Sequence, residues 1–206
     1  MIAKQSREER SREETILASF ERTLLPHLDG AYNLARWLTR NDHDAEDMVQ
    51  EAYLRAFKSF DGFQGGDGRA WLLTIVRNTC YTWLRHNQSN ELATVFDEDI
   101  HSGERDGSSP ETLLLQSLDS QFLKQALEEL PLEFREVLIM RELEGLSYRQ
   151  IADVAGLSLG TVMSRLARAR KRLQQRQARR SEHERGQQSN RTRLDSAGLS
   201  PQHLDD

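Results

Sequence analysis

The chain has 206 residues, of which 37% are hydrophobic and 30% are charged, and its formal net charge is -5. This composition allows one medium-sized core or two small ones, and the low count of four prolines favours helices. The single cysteine, Cys80, excludes an internal disulfide and a cysteine-rich metal site, so we predict no cofactor. The polar N-terminus MIAKQSREERSREE lacks the apolar core of a signal peptide, and no apolar run reaches transmembrane length. We therefore expect a soluble, cytoplasmic protein without membrane insertion.

The first predicted unit covers residues 15–90 and follows a polar segment, residues 1–14, that we expect to be disordered. Apolar residues at helical spacing predict a first helix and then a second helix beginning at Asp42 or Asp44, where acidic side chains suit the positive helix end. The glycine-rich sequence DGFQGGDG then breaks the helix. A third helix from about Arg69 is apolar on nearly every face, which is typical of the central helix of a small bundle.

The composition changes over residues 91–119, where eight acidic residues accompany a single arginine and the turn-forming sequence GERDGSSP. We predict a flexible acidic linker over residues 91–117. A second helical unit is expected over residues 118–176, and the tail, residues 177–206, lacks aromatics and is predicted to be disordered. The predicted fold class is all-α, with two small helical domains.

Within the second unit, the segment SYRQIADVAGLSLGTVMSRLARARKR predicts two short helices around a glycine turn, which is a helix-turn-helix. Ser147 and Gln150 have the spacing of a capping box at the start of the first helix. Gly156 permits the left-handed turn that ends it, and Ser158 is the expected cap of the next helix. Apolar residues recur along one stripe of that helix, so its other face should point outward.

The outward face of this helix is strongly basic. Between Met163 and Arg180 the sequence contains eight lysines and arginines and no acidic residue, although the whole chain is acidic. This asymmetry predicts a phosphate-binding surface, and the motif predicts that the helix reads duplex DNA in the major groove. Because the linker is acidic, we also hypothesise that the two units pack together in the free protein and mask DNA binding.

Aromatic and cationic residues lie side by side in the first unit. Rings at helical spacing in a small bundle are usually packing residues, and Trp71 and Tyr53 are the clearest candidates. The other rings, beside a glycine-rich loop, are candidates for stacking on unpaired bases, as in proteins that hold single-stranded DNA. Cys80 lies within an apolar helix, so core packing is favoured over redox sensing.

Three strings together resemble an extracytoplasmic-function (ECF) RNA polymerase sigma factor of the sigma-70 family: DAEDMVQEAYLRAFKSFDGF, RAWLLTIVRNTCYTWLRHN and LEELPLEFREVLIMRELEGLSYRQIADVAGLSLGTVMSRLARARKRL. The resemblance spans both units and implies a non-enzymatic protein that binds core RNA polymerase and promoter DNA to start transcription. The first unit would be sigma region 2, which binds polymerase and reads the melted minus-ten element. The second would be sigma region 4, which reads the minus-thirty-five element. An anti-sigma factor is left open as a further partner.

The resemblance also implies roles for particular residues. The implied minus-thirty-five contacts are Thr161, Met163, Ser164, Arg165, Arg168, Lys171 and Arg172. The implied minus-ten contacts are Phe60, Phe63, Arg77, Asn78, Tyr81, Thr82 and Arg85. The implied polymerase contacts are Glu46, Asp47, Gln50, Glu51 and Arg55. Many members of the family have an aspartate at the position of Thr82, and many have a basic residue at the position of Met163. The promoter base that each of these two residues would contact therefore stays open.

Two other functions compete with this interpretation. A stand-alone helix-turn-helix transcriptional regulator would account for the second unit but would not need residues 42–87. An enzyme acting on DNA, such as a recombinase, would need a catalytic site. The six histidines and the single cysteine show no metal-ligand spacing, no P-loop or G-x-S-x-G motif occurs, and the predicted loops hold no cluster of catalytic carboxylates.

Overall fold

The computed structural model describes residues 2–91 and 121–196, so most of the predicted linker lies outside the described residues. The described residues form helices joined by turns, with no strand among them, and the all-α prediction is confirmed. No helix in this part of the chain is long and apolar enough to cross a membrane. The helices are α1 (Ile2–Leu24), α2 (Leu28–Thr39), α3 (Asp42–Ser59), α4 (Gly68–Glu91), α5 (121–128), α6 (Leu132–Glu142), α7 (Tyr148–Ala155) and α8 (Leu159–Ser196).

Helices α1 to α4 form the first unit around a core of alanines and aliphatic side chains. The buried residues contributed by α2, α3 and α4 include Ala31, Leu34, Ala35, Leu38, Ala45, Ala52, Ala56, Leu72, Leu73 and Val76. Helix α3 begins at Asp42, and the Asn41 side chain caps it by accepting a 3.1 Å hydrogen bond from the Asp44 backbone N–H. The Tyr53 hydroxyl donates to the Leu24 carbonyl at 3.0 Å, which confirms Tyr53 as a packing residue. Cys80 is buried, and burial raises the pKa of its thiol to about 12, so this side chain also packs in the core.

The first unit differs from the sequence expectation at its N-terminal end. Residues 2–24 form helix α1, although the polar composition of residues 1–14 predicts disorder. The segment is rich in arginine and glutamate, whose high helix propensity does not depend on an apolar face. Apolar periodicity also runs unbroken from Leu24 into α2, but a 3₁₀ turn, Leu25–His27, separates the two helices. Pro26 lies in this turn and has no N–H to donate to a continuous helix.

The second unit is built from α5 to α8. Its core comes mainly from α6, with the apolar stripes of α7 and α8 packed against it. Helix α8 continues to Ser196, through much of the tail that composition predicts to be disordered. Its extension packs on α5, where the guanidinium groups of Arg176 and Arg180 lie 5.7 and 4.6 Å from the centre of the Phe122 ring. This contact, and the absence of proline from α8, explain why the helix continues beyond the helix-turn-helix motif.

The two units pack directly against each other. Helix α4 lies against α7 and α2 against α6, and the buried apolar residues of both units form one continuous core. Gly30 allows the close approach of α2, because a Cβ atom at this position would lie only 2.5 Å from Glu144 Oε2. Two acidic residues of the second unit, Glu136 and Glu144, form ion pairs with the first unit at this contact. Linker residues 92–117 lie outside the described residues, so the hypothesis that the acidic linker masks DNA binding stays a prediction.

Candidate nucleic-acid interface

Helices α7 and α8 form the helix-turn-helix predicted from the sequence. Ser147 Oγ accepts a hydrogen bond from the Gln150 backbone N–H at 3.2 Å, and the Gln150 side chain accepts one from the Ser147 backbone N–H at 2.9 Å, so the capping box is complete. Gly156 ends α7 in the left-handed region, with a φ of 65°. Ser158 Oγ accepts a hydrogen bond from the Thr161 N–H at 3.1 Å and caps α8. The predicted caps of this motif are therefore confirmed.

One face of α8 is buried and the opposite face is open. Val162, Leu166 and Ala169 lie in the core. The open face mixes one apolar side chain with hydrogen-bonding and cationic groups and contains Met163, Ser164, Arg168, Lys171 and Arg172. Among the residues that the structure describes, Arg168 and Lys171 have no acidic partner. Both cations are therefore available to phosphates or base edges.

Four of the predicted duplex-reading residues make contacts within the protein. One of them is Ser164, whose hydroxyl donates to the Thr161 carbonyl at 3.0 Å. Arg165 is half-buried, and its Nη1 donates to Glu136 Oε1 at 3.0 Å. Thr161 is also half-buried, with its hydroxyl 2.8 Å from Ser158 Oγ. The Arg172 guanidinium lies 5.1 Å from the centre of the Phe134 ring, although its side chain remains exposed. The predicted duplex-reading surface therefore contains an open part and a part that faces the rest of the protein.

Phe60, predicted to contact DNA, packs inside the first unit instead. Its side chain is only 9% exposed and contacts the edges of Phe20 and Trp71, with ring centres 5.3 and 6.3 Å away. The reason is periodicity, because Phe60 follows the buried Ala56 by four residues and continues the core stripe of α3. Phe63 is half-buried and stacks on Phe60 at 5.8 Å. Phe60 as placed has no face open to a DNA base, whereas Phe63 remains partly accessible.

The polar candidates on α4 lie on one side of the helix but differ in exposure. Asn78 and Arg85 are exposed. The Thr82 hydroxyl donates to the Asn78 carbonyl at 2.8 Å, and Arg85 Nη2 donates to Thr82 Oγ1 at 3.5 Å. Arg77 and Tyr81 are half-buried at the contact with the second unit.

Arg77 and Tyr81 both contact Glu136 of α6, a residue that sequence reasoning missed. The Glu136 side chain is fully buried and accepts hydrogen bonds from Arg77 Nε at 2.7 Å and from the Tyr81 hydroxyl at 2.9 Å, in addition to the one from Arg165. Burial and the neighbouring carboxylate raise the pKa of Tyr81, which keeps its hydroxyl a donor. The sequence does contain a signal for this contact, because Glu136 lies within the apolar run of α6. An acidic side chain buried there requires hydrogen-bond or ion-pair partners.

A second group of polar contacts joins the units near the start of α4. Glu144 is buried and accepts a hydrogen bond from Asn33 Nδ2 at 3.1 Å, and it forms an ion pair with Arg69. Asp67 caps α4 by accepting from the Ala70 N–H at 3.0 Å, and its other oxygen accepts from Gln150 Nε2 at 2.6 Å. The capping box of α7 is thus tied to the cap of α4 across the contact.

The solvent face of α3 carries the residues predicted to bind polymerase. Glu46, Asp47, Gln50 and Arg55 are exposed, and Arg55 Nε donates to Glu51 Oε1 at 2.7 Å along the same face. Leu54, 56% exposed, lies among them. None of these side chains is needed for the core, and together they offer a partner both charge and an apolar contact.

Comparison with known proteins matches both units. Residues 24–90 match the family model for sigma-70 region 2, and residues 122–173 match the model for sigma-70 region 4. The chain is 34% identical over 161 residues to the ECF RNA polymerase sigma factor SigE of Mycolicibacterium smegmatis, an alignment that covers 78% of this chain and 62% of that protein. It thus spans less than two thirds of that relative's length. The ECF RNA polymerase sigma-E factor of Escherichia coli K12 is 36% identical over 134 residues, which cover 62% of this chain and 70% of that protein.

A solved structure with a similar fold is the sigma factor RpoE in complex with the anti-sigma factor NepR from Bartonella quintana. It superposes with a TM-score of 0.67 at 32% identity and covers 78% of this chain and 97% of that one. CnrH in complex with the cytosolic domain of CnrY superposes with a TM-score of 0.54 at 23% identity, over 77% of this chain and 86% of that one, and supports the fold alone.

Proposed function

The chain belongs to the sigma-70 family as an ECF RNA polymerase sigma factor, and we propose that it binds core RNA polymerase and directs it to a small set of promoters. RNA synthesis belongs to the polymerase, so we assign no catalytic residue to this chain. The observation that carries the proposal is a capped helix-turn-helix with an open cationic face. The same chain contains a first unit with exposed polar faces that its own core does not require.

We assign reading of the minus-thirty-five duplex to the open face of α8. Arg168 suits bidentate hydrogen bonding to a guanine edge, and Lys171 and Arg172 suit phosphates. Met163, 47% exposed, offers an apolar contact to a thymine methyl group. Thr161, Ser164 and Arg165 complete the surface along the same helix.

We assign the melted minus-ten strand to the side of α4 that carries Arg77, Asn78, Tyr81, Thr82 and Arg85, which recur within two turns of one helix face. An aromatic ring flanked by cations is the usual means of holding unpaired bases and their phosphates. Phe63 is a further candidate at the adjacent loop. Phe60 supports this surface from the core and is not assigned a base contact.

We assign polymerase binding to the solvent face of α3, through Glu46, Asp47, Gln50, Glu51 and Arg55. Support comes from the exposure of these side chains and of Leu54 between them. Replacing them would leave the core of the first unit unchanged, so their effect on assembly is separable from folding.

The test uses the full chain with core RNA polymerase on genomic promoter fragments. Asp47→Ala with Gln50→Ala should abolish co-purification with core polymerase but leave duplex DNA binding intact. Glu14→Ala with Glu21→Ala, which alters exposed residues of α1, serves as the matched control and should assemble normally. Asn78→Ala should assemble normally but reduce the permanganate reactivity of promoter thymines, because contacts to the separated strand are lost.

Failure of the chain to co-purify with core polymerase, together with failure to open any fragment that it binds, would refute the proposal. A stand-alone helix-turn-helix regulator would then account for the data.

We also propose an anti-sigma factor as a further partner. The support is the similarity to a sigma factor whose structure was solved in complex with an anti-sigma factor. Such a partner of this chain should displace core polymerase in a competition experiment. A candidate that binds without displacing polymerase would contradict this assignment.

A further inference from the structure

Helix α8 is much longer than its helix-turn-helix motif requires. It runs for 38 residues from Leu159 to Ser196, whereas the match to sigma-70 region 4 ends at residue 173. At 1.5 Å per residue, the part of α8 beyond that match adds about 34 Å to the helix. The motif therefore accounts for less than half of α8, and the extension needs an explanation of its own.

One side of the extension is attached to the second unit. Leu173 packs against the core. The guanidinium groups of Arg176 and Arg180 lie over the Phe122 ring of α5, and Arg176 also forms an ion pair with Glu129. These α8 residues continue the buried stripe of the helix at intervals of three and four. The extension is therefore a fixed continuation of the recognition helix as far as Arg180.

The opposite side of the extension is open and continues the face assigned to duplex DNA. Gln175 and Arg179 follow Arg168 by about two and about three whole turns, so the three side chains lie in one stripe. Gln175 and Arg179 are both exposed, and within the described part of the chain Arg179 forms no ion pair. The exposed Glu182 is the first acidic residue on this side and ends the cationic stripe.

A straight helix cannot follow a DNA groove over this distance. Arg179 lies about 16 Å further along the axis of α8 than Arg168, which is assigned to base edges. The major groove winds around the duplex once in about 34 Å, whereas α8 is continuous and contains no proline that would bend it. The extension therefore leaves the floor of the groove and lies over the phosphates at its edge. Arginine and glutamine side chains both donate hydrogen bonds to phosphate oxygens.

We propose that Gln175 and Arg179 form a flank-binding stripe, through which the extension of α8 binds the phosphates of the duplex beside the minus-thirty-five element. This contact rests on the duplex-reading role proposed above for α8. Because the stripe binds phosphates, it adds affinity that does not depend on sequence and that falls with salt. It also requires more duplex than the bases that α8 reads.

Gln175→Glu is the direct test, because it places a negative charge in the stripe four residues before Arg179, where the two side chains pair. Gln177→Glu is the matched control, since it introduces the same charge at an exposed position about half a turn away around the helix. Binding of the full chain is measured by fluorescence anisotropy on duplexes taken from a promoter fragment that it binds. One duplex ends at the element, and two others extend it on either side by about ten base pairs, which is one turn of DNA.

Extension of the duplex on one side should tighten binding by the unmodified chain and by Gln177→Glu, but not by Gln175→Glu. Arg179→Gln should abolish the same gain and reduce the salt slope by about one, because one phosphate contact is lost. At about 0.1 M salt this loss corresponds to about eightfold in affinity, since each released counterion scales the binding constant by the salt concentration to the power of about −0.9. All three substitutions alter exposed side chains, so the melting temperature should not change.

Equal gains from the flank in Gln175→Glu and Gln177→Glu would overturn the flank-binding stripe, as would the lack of a gain from either flank in the unmodified chain. If Gln175→Glu instead lowers transcription by polymerase without any loss of flank binding, the stripe contacts a protein and the proposal is wrong. A chain that binds no promoter duplex of any length would overturn the proposed function and not the stripe alone.

Discussion

Replacing Phe60 by alanine should lower the free energy of unfolding of the protein itself, and we expect no direct loss of a DNA contact. The ring is 9% exposed and contacts Phe20, Phe63 and Trp71, so its removal leaves a cavity in the first unit. Truncation of a buried phenylalanine costs about 3–5 kcal/mol. For a chain of this size that cost lowers the melting temperature by about 6–20 °C.

The assay is thermal and urea unfolding followed by circular dichroism, with Phe57→Ala as the matched control. Phe57 belongs to the same helix but is 46% exposed and contacts Phe20 at a single edge, with ring centres 5.2 Å apart. Its truncation should cost only about 1 kcal/mol, because about half of the ring is already in water.

The opposite pattern would refute this reasoning. If Phe60→Ala unfolds at the same temperature as the unmodified chain but fails to open promoter DNA, then the ring contacts a base. The resemblance to the family would in that case be a better guide to Phe60 than its position in the core.

Three further predictions address caps and contacts. Arg168→Ala should cost about 1–3 kcal/mol in duplex binding measured by fluorescence anisotropy, and an unchanged affinity would remove Arg168 from the interface. Ser147→Ala should lower the free energy of unfolding in urea by about 1 kcal/mol, since it deletes the capping box of α7, and an unchanged midpoint would contradict this. Hydrogen bonds from the Ala70 backbone N–H and the Gln150 side chain lower the pKa of Asp67. The ionised Asp67 carboxylate therefore stabilises the fold fully above the pKa that this group has in the unfolded chain, and the stabilisation is lost as the pH falls through the lowered pKa of the folded state. Asp67→Asn should therefore weaken the loss of stability below about pH 4 in urea titrations, and an unchanged pH profile would contradict the assignment.

Local rules explain which features of the fold could be predicted from the sequence. The caps at Ser147, Gly156 and Ser158 depend on residues within three or four positions of one another, and each is formed as expected. The same applies to the start of α3 at Asp42. Helix-turn-helix geometry and the open basic face of α8 therefore follow from spacing and composition alone.

Contacts between distant residues could not be predicted in the same way. Glu136 is separated by 59 residues from Arg77 and by 29 from Arg165, and spacing rules carry no information over such intervals. Composition also gave the wrong expectation over residues 2–14 and 177–196, since these parts of α1 and α8 are polar segments that nevertheless form helices. A polar sequence indicates the lack of an apolar core, which is a different property from the lack of helical structure.

The close approach at Gly30 links two positions that lie far apart in the chain. A methyl group at residue 30 would occupy the space of the Glu144 carboxylate, which Asn33 and Arg69 hold in place. Alanine at position 30 would therefore be tolerated best together with a shorter side chain at position 144, and each change alone would be worse than the pair. Natural variation in closely related chains should accordingly show these two positions changing together.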